Sequence, residues 1–318
     1  MRNTTEVTVF LLAPLSDNPQ TLYFIFIIFL LIYMNTLIIN SLIIFLTITD
    51  PQLYTPMYFF LGNLAFLDMS CSSVTAPRML SDFITTNNSI SFPACMMQIF
   101  FIIYFLTTEL LLLGAMSYDR FAAICHPLHY IQIMSWNVCF LLSSMVWVLG
   151  FLYSLLHTLC SLRLTFCDSN IIHNFFCDLP HLFQISCTDT NINIIVINTL
   201  AGFVGHVAFL ITFIPYTRIF NTIFRIRTKE GKIKAFSTCT SHLTVVFIFY
   251  ASLIFIYVVP NTHSLLTLHK IMSVIYALIN PLLNPLIYSV RNRELKAALG
   301  RTVQHISLEV TLNFDLTH

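Results

Sequence analysis

Apolar residues in this chain run in long blocks separated by short polar breaks, with no sustained alternation. A helix needs about 20 apolar residues to cross roughly 30 Å of hydrocarbon at 1.5 Å per residue. Seven stretches meet that length, over 22–47, 57–80, 96–120, 138–160, 194–219, 236–260 and 270–290. Most end at turn formers or charge, as at Asp50-Pro51, Asn87-Asn88, Cys125-His126-Pro127, Pro260-Asn261 and Arg291-Asn292. Strands of a membrane barrel would alternate over about ten residues, and these blocks do not. The pattern predicts an all-α bundle of seven transmembrane helices over 22–290, with a leading segment 1–21 and a tail 291–318.

Composition strengthens this reading. Hydrophobic residues make up 57% of the 318 and charged residues 9%, against about 25% charged in an ordinary soluble domain. Thirty Phe beside seven Gly fit long helices better than a turn-rich β architecture. A soluble protein this apolar would expose large sticky patches. The lipid bilayer is therefore the expected surrounding, and no nucleic-acid partner is expected. The apolar patch Val7 to Leu15 is interrupted by Pro14 and has the wrong flanks for a cleavable leader. The first span is expected to act as its own insertion signal.

The net charge of +1 hides an uneven distribution. With the N-terminus outside, one face collects Arg120, Arg218, Arg225, Arg227, Lys229, Lys232, Lys234, Arg291, Arg293, Lys296 and Arg301, eleven of the fifteen Lys and Arg. That bias predicts a cytoplasmic C-terminus. The sequons at Asn3 and Asn87 then fall on the glycosylated side, Asn3 being the better acceptor near a free end. Cys95, Cys167, Cys177 and Cys187 share that oxidising side, which suggests two disulfides. Cys71, Cys125, Cys139, Cys160 and Cys239 are expected to stay thiols. His173 and His181 with the loop cysteines are an alternative metal set, but their spacing matches no regular zinc pattern.

Two acids stand inside spans: Asp68 in "GNLAFLDMS" and Glu109 in "FLTTELLLLG". An ionised group at the bilayer centre costs at least about 2.5–3.5 kcal/mol on insertion scales, so such residues face the bundle interior with partners. Asn40, Asn280 and Asn284 are polar residues at matching depths. A cation bridging the carboxylates, a proton held by one of them, and a purely structural polar cluster are all open on these residues. Pro215, Pro281 and Pro285 each remove a backbone donor and favour a kink. In "NPLLNPLIY" an asparagine precedes each proline and is placed to cap the freed carbonyls.

Four strings carry a resemblance: "TPMYFFLGNLAFLD" (55–68), "MSYDRFAAICHPLHY" (116–130), "KAFSTCTSHLTVV" (234–246) and "PLLNPLIYSVRN" (281–292). With seven spans they resemble the rhodopsin-like G-protein-coupled receptors, and within them the olfactory receptors. The resemblance implies a receptor at the cell membrane, in olfactory sensory cilia, that binds a small volatile odorant. It implies coupling to a stimulatory, olfactory-type G protein, with cAMP as output. It also implies that Asp119 holds Arg120 at rest, with Tyr216, His242, Asn284, Pro285 and Tyr288 completing the switch. Cys95 is expected to bond Cys177, and Cys167 to bond Cys187. Asp68 and Glu109 match an acidic pair thought to hold an allosteric sodium ion; no other cofactor is implied.

The family's ligand lies among spans three, five and six. Here that points to Ile102, Ile103, Leu106 and Thr107, to Leu200 and Val204, and to Tyr250, Leu253 and Tyr257. Ile102 stands where amine receptors of this fold carry an aspartate, which argues against a cationic ligand. The chain departs from the family at Phe121, usually Tyr, at Pro215, usually Ser, and at Ile39 and Ala251, each often Gly. The stretch "RIRTKEGKIKAFSTC" is basic enough for anionic lipid or an acidic partner surface. "RELKAALG" puts Leu295 and Leu299 on one face of an interfacial helix. Two other classes fit less well. A transporter would usually show internal repeats, and none is visible. An enzyme of the "HExxH" or "GxSxG" type lacks its motif here.

Overall fold

Each apolar block folds as a helix, and most helices overrun their blocks at both ends in the computed structural model, which describes residues 8–16, 18–85, 87–166, 170–259, 266–292 and 294–304. The side chains of 234, 237, 238, 257, 258, 266, 290 and 291 lie outside that description. The spans are α1 (Pro19–Thr49), α2 (Pro56–Thr85), α3 (Phe92–Cys125), α5 (Trp136–Ser161), α7 (Asn191–Arg225), α8 (Lys229–Val258) and the pair α9 (Leu266–Val274) and α10 (Asn280–Arg291). Short helices α4 (Tyr130–Ile133) and α6 (Leu179–Gln184) lie between spans. A last helix, α11, covers 294–304. The backbone ladder continues past the hydrocarbon, so the apolar count marks the membrane-matched part of a helix rather than its ends. The basic stretch from Lys229 is thus the first turn of α8, seven residues before the expected start at 236.

Six described helices are long and apolar enough to cross a membrane. The remaining one, α2, carries Asp68, Arg78 and Asp82 and packs along α1 and α3. α3 is the central element, packing on α2, α5 and α7. Small residues allow these approaches: a Cβ on Gly150 of α5 would meet the Thr108 hydroxyl of α3 at 2.2 Å. Asn63 of α2 accepts from Ser143 (3.0 Å) and the Trp147 indole (3.1 Å), tying α2 to α5.

Proline shapes the seventh span. A π-helical turn, Ile275–Ile279, runs into Asn280-Pro281, an adjustment that absorbs the missing donor. Pro285 cannot bond the carbonyl four residues back. That carbonyl belongs to Pro281, and Asn40 of α1 donates to it at 3.0 Å. The expectation that Asn280 and Asn284 would cap the freed carbonyls is corrected here. Asn284 turns to two carboxylates, and Asn280 donates to Ser252 at 3.4 Å.

A three-stranded sheet closes one end of the bundle. β1 (Val9–Leu12) pairs antiparallel with β2 (Ser89–Ser91), Val9 opposite Ser91, and parallel with β3 (Ile171–Ile172), Leu11 opposite Ile171. Phe10 and Leu12 are 0% and 3% exposed while Val9 and Leu11 are 42% and 41%, the two-residue period of a half-buried strand. Phe10 seats its ring edge-on against Phe166 at 5.0 Å. At the other end α11 docks through buried Leu295 and Ala298, whereas Leu299 is exposed. The packed face is therefore i, i+3 rather than the expected i, i+4.

Candidate functional site

At the α11 end, Asp119 and Arg120 lie in the last buried stretch of α3 and are 1% and 9% exposed. The Arg120 guanidinium grips Asp119 Oδ2 through Nη2 and through Nε at 3.0 Å. The second carboxylate oxygen accepts from Tyr130 Oη at 2.7 Å. A buried charge needs both pairing and hydrogen bonding, and Asp119 has both. Tyr130 was missed as a site residue although it ends the "HPLHY" string; a hydroxyl eleven residues away shows no periodicity that would reveal the contact.

Beside this pair, Tyr216 of α7 and His242 of α8 share a hydrogen bond of 2.5 Å, the rings 5.8 Å apart. Both are buried with Ile219, Ile223 and Cys239, and Phe121 packs against that cluster. Tyr288 of α10 is buried, and its hydroxyl has no partner among the described residues. Pro285 lies one turn earlier in α10. Polar side chains of α3, α7, α8 and α10 are thus buried at this end of the bundle.

Midway along the bundle, Asp68, Glu109 and Asn284 are buried together. Asn284 Nδ2 donates to Asp68 Oδ1 (2.9 Å) and Glu109 Oε1 (3.2 Å). Asp68 Oδ2 and Asn280 Oδ1 have no partner among the described residues. An unpartnered carboxylate oxygen is a hard donor of the kind a monovalent cation takes, which is the chemistry a sodium ion beside Asp68 and Glu109 would use. No group of three or more His, Cys, Asp or Glu side chains suited to a metal occurs among the described residues.

Toward the sheet, the expected pocket residues divide. Ile102, Leu106, Val204, Tyr250 and Leu253 join the main core. Ile103 belongs to the cluster under the sheet, with Phe10, Cys95 and Cys177. Thr107 is buried, Leu200 is half-buried, and the Tyr257 side chain is outside the description. Tyr250 meets Phe209 and Phe213 of α7 edge-on, centroids 5.9 and 5.7 Å apart. His157 lies in α5. It is buried against Tyr153, centroids 4.3 Å apart, and neither ring nitrogen has a partner among the described residues.

Cys95 and Cys177 form a disulfide, and Gln98 Oε1 accepts from the Cys177 amide at 2.9 Å. Cys167 and Asn3 lie outside the described residues. Cys187 donates its amide to the Thr165 carbonyl, and Phe166 bridges Ser186. Asn87 is exposed and accepts from Ser89. Cys71, Cys125, Cys139, Cys160 and Cys239 are free thiols. In the same loop, His181 Nδ1 lies 2.6 Å from Asp178 Oδ1. Burial draws the imidazolium down and Lys270 adds to this, but the Asp178 carboxylate outweighs both, so His181 titrates above its ordinary range.

Known proteins match this architecture along nearly its whole length. The solved structure of squid rhodopsin superposes with a TM-score of 0.67 over 92% of this chain and 87% of that one, at 20% identity; it shares the fold. Olfactory receptor 5B12 of Homo sapiens is 46% identical over 303 residues, 95% of this chain and 96% of that protein. Olfactory receptor 5AR1 of Mus musculus is 46% identical over 301 residues, 95% and 97% of the two chains. Such receptors are multi-pass membrane proteins of the G-protein-coupled type and not enzymes. Residues 29–306 match the family model described as olfactory receptor, and the chain belongs to that family.

Proposed function

We propose that this receptor binds a small, mostly apolar volatile molecule among α3, α7 and α8 at the sheet-capped end and signals through the opposite end. The N-terminus is extracellular, Asn3 and Asn87 are its glycosylation acceptors, and α11 lies along the cytoplasmic interface. The pocket is formed by Ile102, Ile103, Leu106, Thr107, Leu200, Val204, Tyr250, Leu253 and Tyr257. Its lining is apolar with a few hydroxyls, which selects by shape and one polar group. A ligand shifts the resting equilibrium only by its differential affinity for the two conformers.

The observation that carries this reading is the buried Asp119–Arg120 pair with Tyr130 on the free carboxylate oxygen. An arginine held by its own neighbour is available to a new partner once the α7 and α8 ends move apart. Tyr216, His242, Asn284, Pro285 and Tyr288 are the groups that re-pair during that motion. A stimulatory, olfactory-type heterotrimeric G protein then takes the opened face, and cAMP rises. A sodium ion at Asp68 and Glu109 stabilises the resting state, and Cys167 bonds Cys187 beside the established bridge. Olfactory sensory cilia are the site of action.

The test is cAMP in cells expressing this chain with an olfactory-type G protein, screened against diverse volatiles beside Arg120→Ala. Loss of the response in the variant at matched surface expression is expected. A response that survives the substitution overturns the role of Arg120 and leaves family membership untouched.

A further inference from the structure

A cavity of about 670 Å³ lies at the sheet-capped end, between α1, α2 and the segment after β1, away from the sites above. Pockets that hold whole small molecules run about 300–1,000 Å³. Leu12, Met79 and Phe175 form its buried floor. Its lip is Tyr23 of α1, 69% exposed, on a helix whose Phe24, Ile27 and Ile28 are exposed as well. Apolar side chains exposed on a spanning helix face lipid, so the cavity opens sideways into the leaflet at this end.

The charge described in the groove lies on one wall. Asp82 is its only charged lining residue among the described residues. Arg78 Nε donates to Asp82 Oδ1 at 2.7 Å, and its Nη2 turns to the Ser89 carbonyl, so the cation stands outside the lining. Asp82 Oδ2 makes no hydrogen bond among the described residues. The cavity thus offers a carboxylate acceptor at one wall, with Ser16, Tyr23 and Asn88 as uncharged polar lining and apolar side chains over the rest. A hydroxyl donor suits that acceptor; a fatty-acid carboxylate would meet it with like charge.

We propose that this groove binds a single-chain amphiphile with an uncharged hydroxyl headgroup drawn from the bilayer, its hydroxyl donating to Asp82 and its chain lying along Phe26, Phe83 and Met79. The site differs in place and chemistry from the odorant pocket among α3, α7 and α8. Long-chain alcohols and monoacylglycerols share the required head.

The test uses full-length receptor in phosphatidylcholine nanodiscs, photolabelled with a hexadecanol carrying a mid-chain diazirine, adducts being mapped by mass spectrometry. Adducts are expected on 22–26 and 79–84. Hexadecanol or monopalmitoylglycerol should suppress them about tenfold better than palmitate, the ratio one hydrogen bond to a charged acceptor supports. Whichever of the two suppresses better names the source. Leu22→Trp and Ile84→Trp fill the groove from opposite walls and should each reduce labelling with surface expression intact; should one misfold, the other decides. Adducts spread evenly over the lipid-facing sides of α1, α5 and α7 would overturn the proposal. Equal competition by palmitate, or labelling unchanged in the folded variants, would do the same.

Discussion

The two ends of the bundle are held by different kinds of bond. The sheet-capped end has covalent and backbone ties, the Cys95–Cys177 bridge and the pairing of β1 with β2 and β3, beside side-chain pairs such as His181 with Asp178. At the Arg120 end the ties are side-chain contacts: Asp119 with Arg120 and Tyr130, Tyr216 with His242, and Arg301 with Asp50. A ladder of backbone bonds cannot re-pair without unfolding a strand. A guanidinium or imidazole re-pairs by rotating about single bonds. One end is therefore tied by bonds that fix its shape, and the other by contacts that side-chain rotation can change, a contrast the proposed switch requires.

The sharpest way to break this contrast is to cut the covalent tie. Cys95→Ser should cost roughly 2–5 kcal/mol, the usual loss for a native disulfide. Surface expression measured by flow cytometry should collapse, because α3 and the loop beneath the sheet lose their link. A variant that reaches the surface at wild-type level would show that the sheet alone holds this end. The Arg120 end should respond to a gentler change. Tyr130→Phe removes one hydrogen bond to a charged acceptor, about 1.5–3 kcal/mol. Asp119 then releases Arg120 more readily, and basal cAMP should rise several-fold at unchanged expression. Unchanged or lower basal signalling would mean that Tyr130 does not restrain the pair.

How far the sequence revealed this division depended on the type of contact. The spans followed from apolar length, because the hydrocarbon thickness and helix rise leave little freedom. Asp68 and Glu109 were legible because charge in such blocks is rare, and the disulfide pairing came with the resemblance. β1 was not anticipated, although Val9 to Leu12 alternates in burial; all four are apolar, so the period appears only once the sheet covers one face. Tyr130, Asn63 and the Asn40–Pro281 bond were also invisible, since each joins elements distant in sequence through one polar group. The face of α11 was misjudged because Leu299, apolar as Leu295 is, points away from the bundle.

Between the two ends, the acidic pair supplies an intermediate effect. Sodium is expected to raise the melting temperature of purified receptor relative to choline at the same ionic strength. Glu109→Gln should abolish that difference while Asn284 keeps a hydrogen-bond acceptor there. Equal melting in both salts for the wild-type receptor would remove the cation from the resting state and leave the cluster structural.

The smallest effect should come from pH at the rigid end, where His181 pairs with Asp178 and Asn174 Nδ2 also donates to that carboxylate at 3.2 Å. His181 titrates above its unfolded value of about 6.5. Its pairing therefore adds stability that is full below that unfolded value and fades as pH rises through the higher folded one. The protection of the loop amides around Asn174–Gln184 against hydrogen exchange, taken relative to the intrinsic rate at each pH, should fall over that window in the wild type and stay flat in His181→Gln. The change should remain confined to the loop, because the disulfide and the β1 pairings do not titrate over this range. If it spread instead to the α7 and α8 ends, proton release at His181 would be coupled to the switch, and the two ends would have to be treated as one device rather than a fixed cap above a movable base.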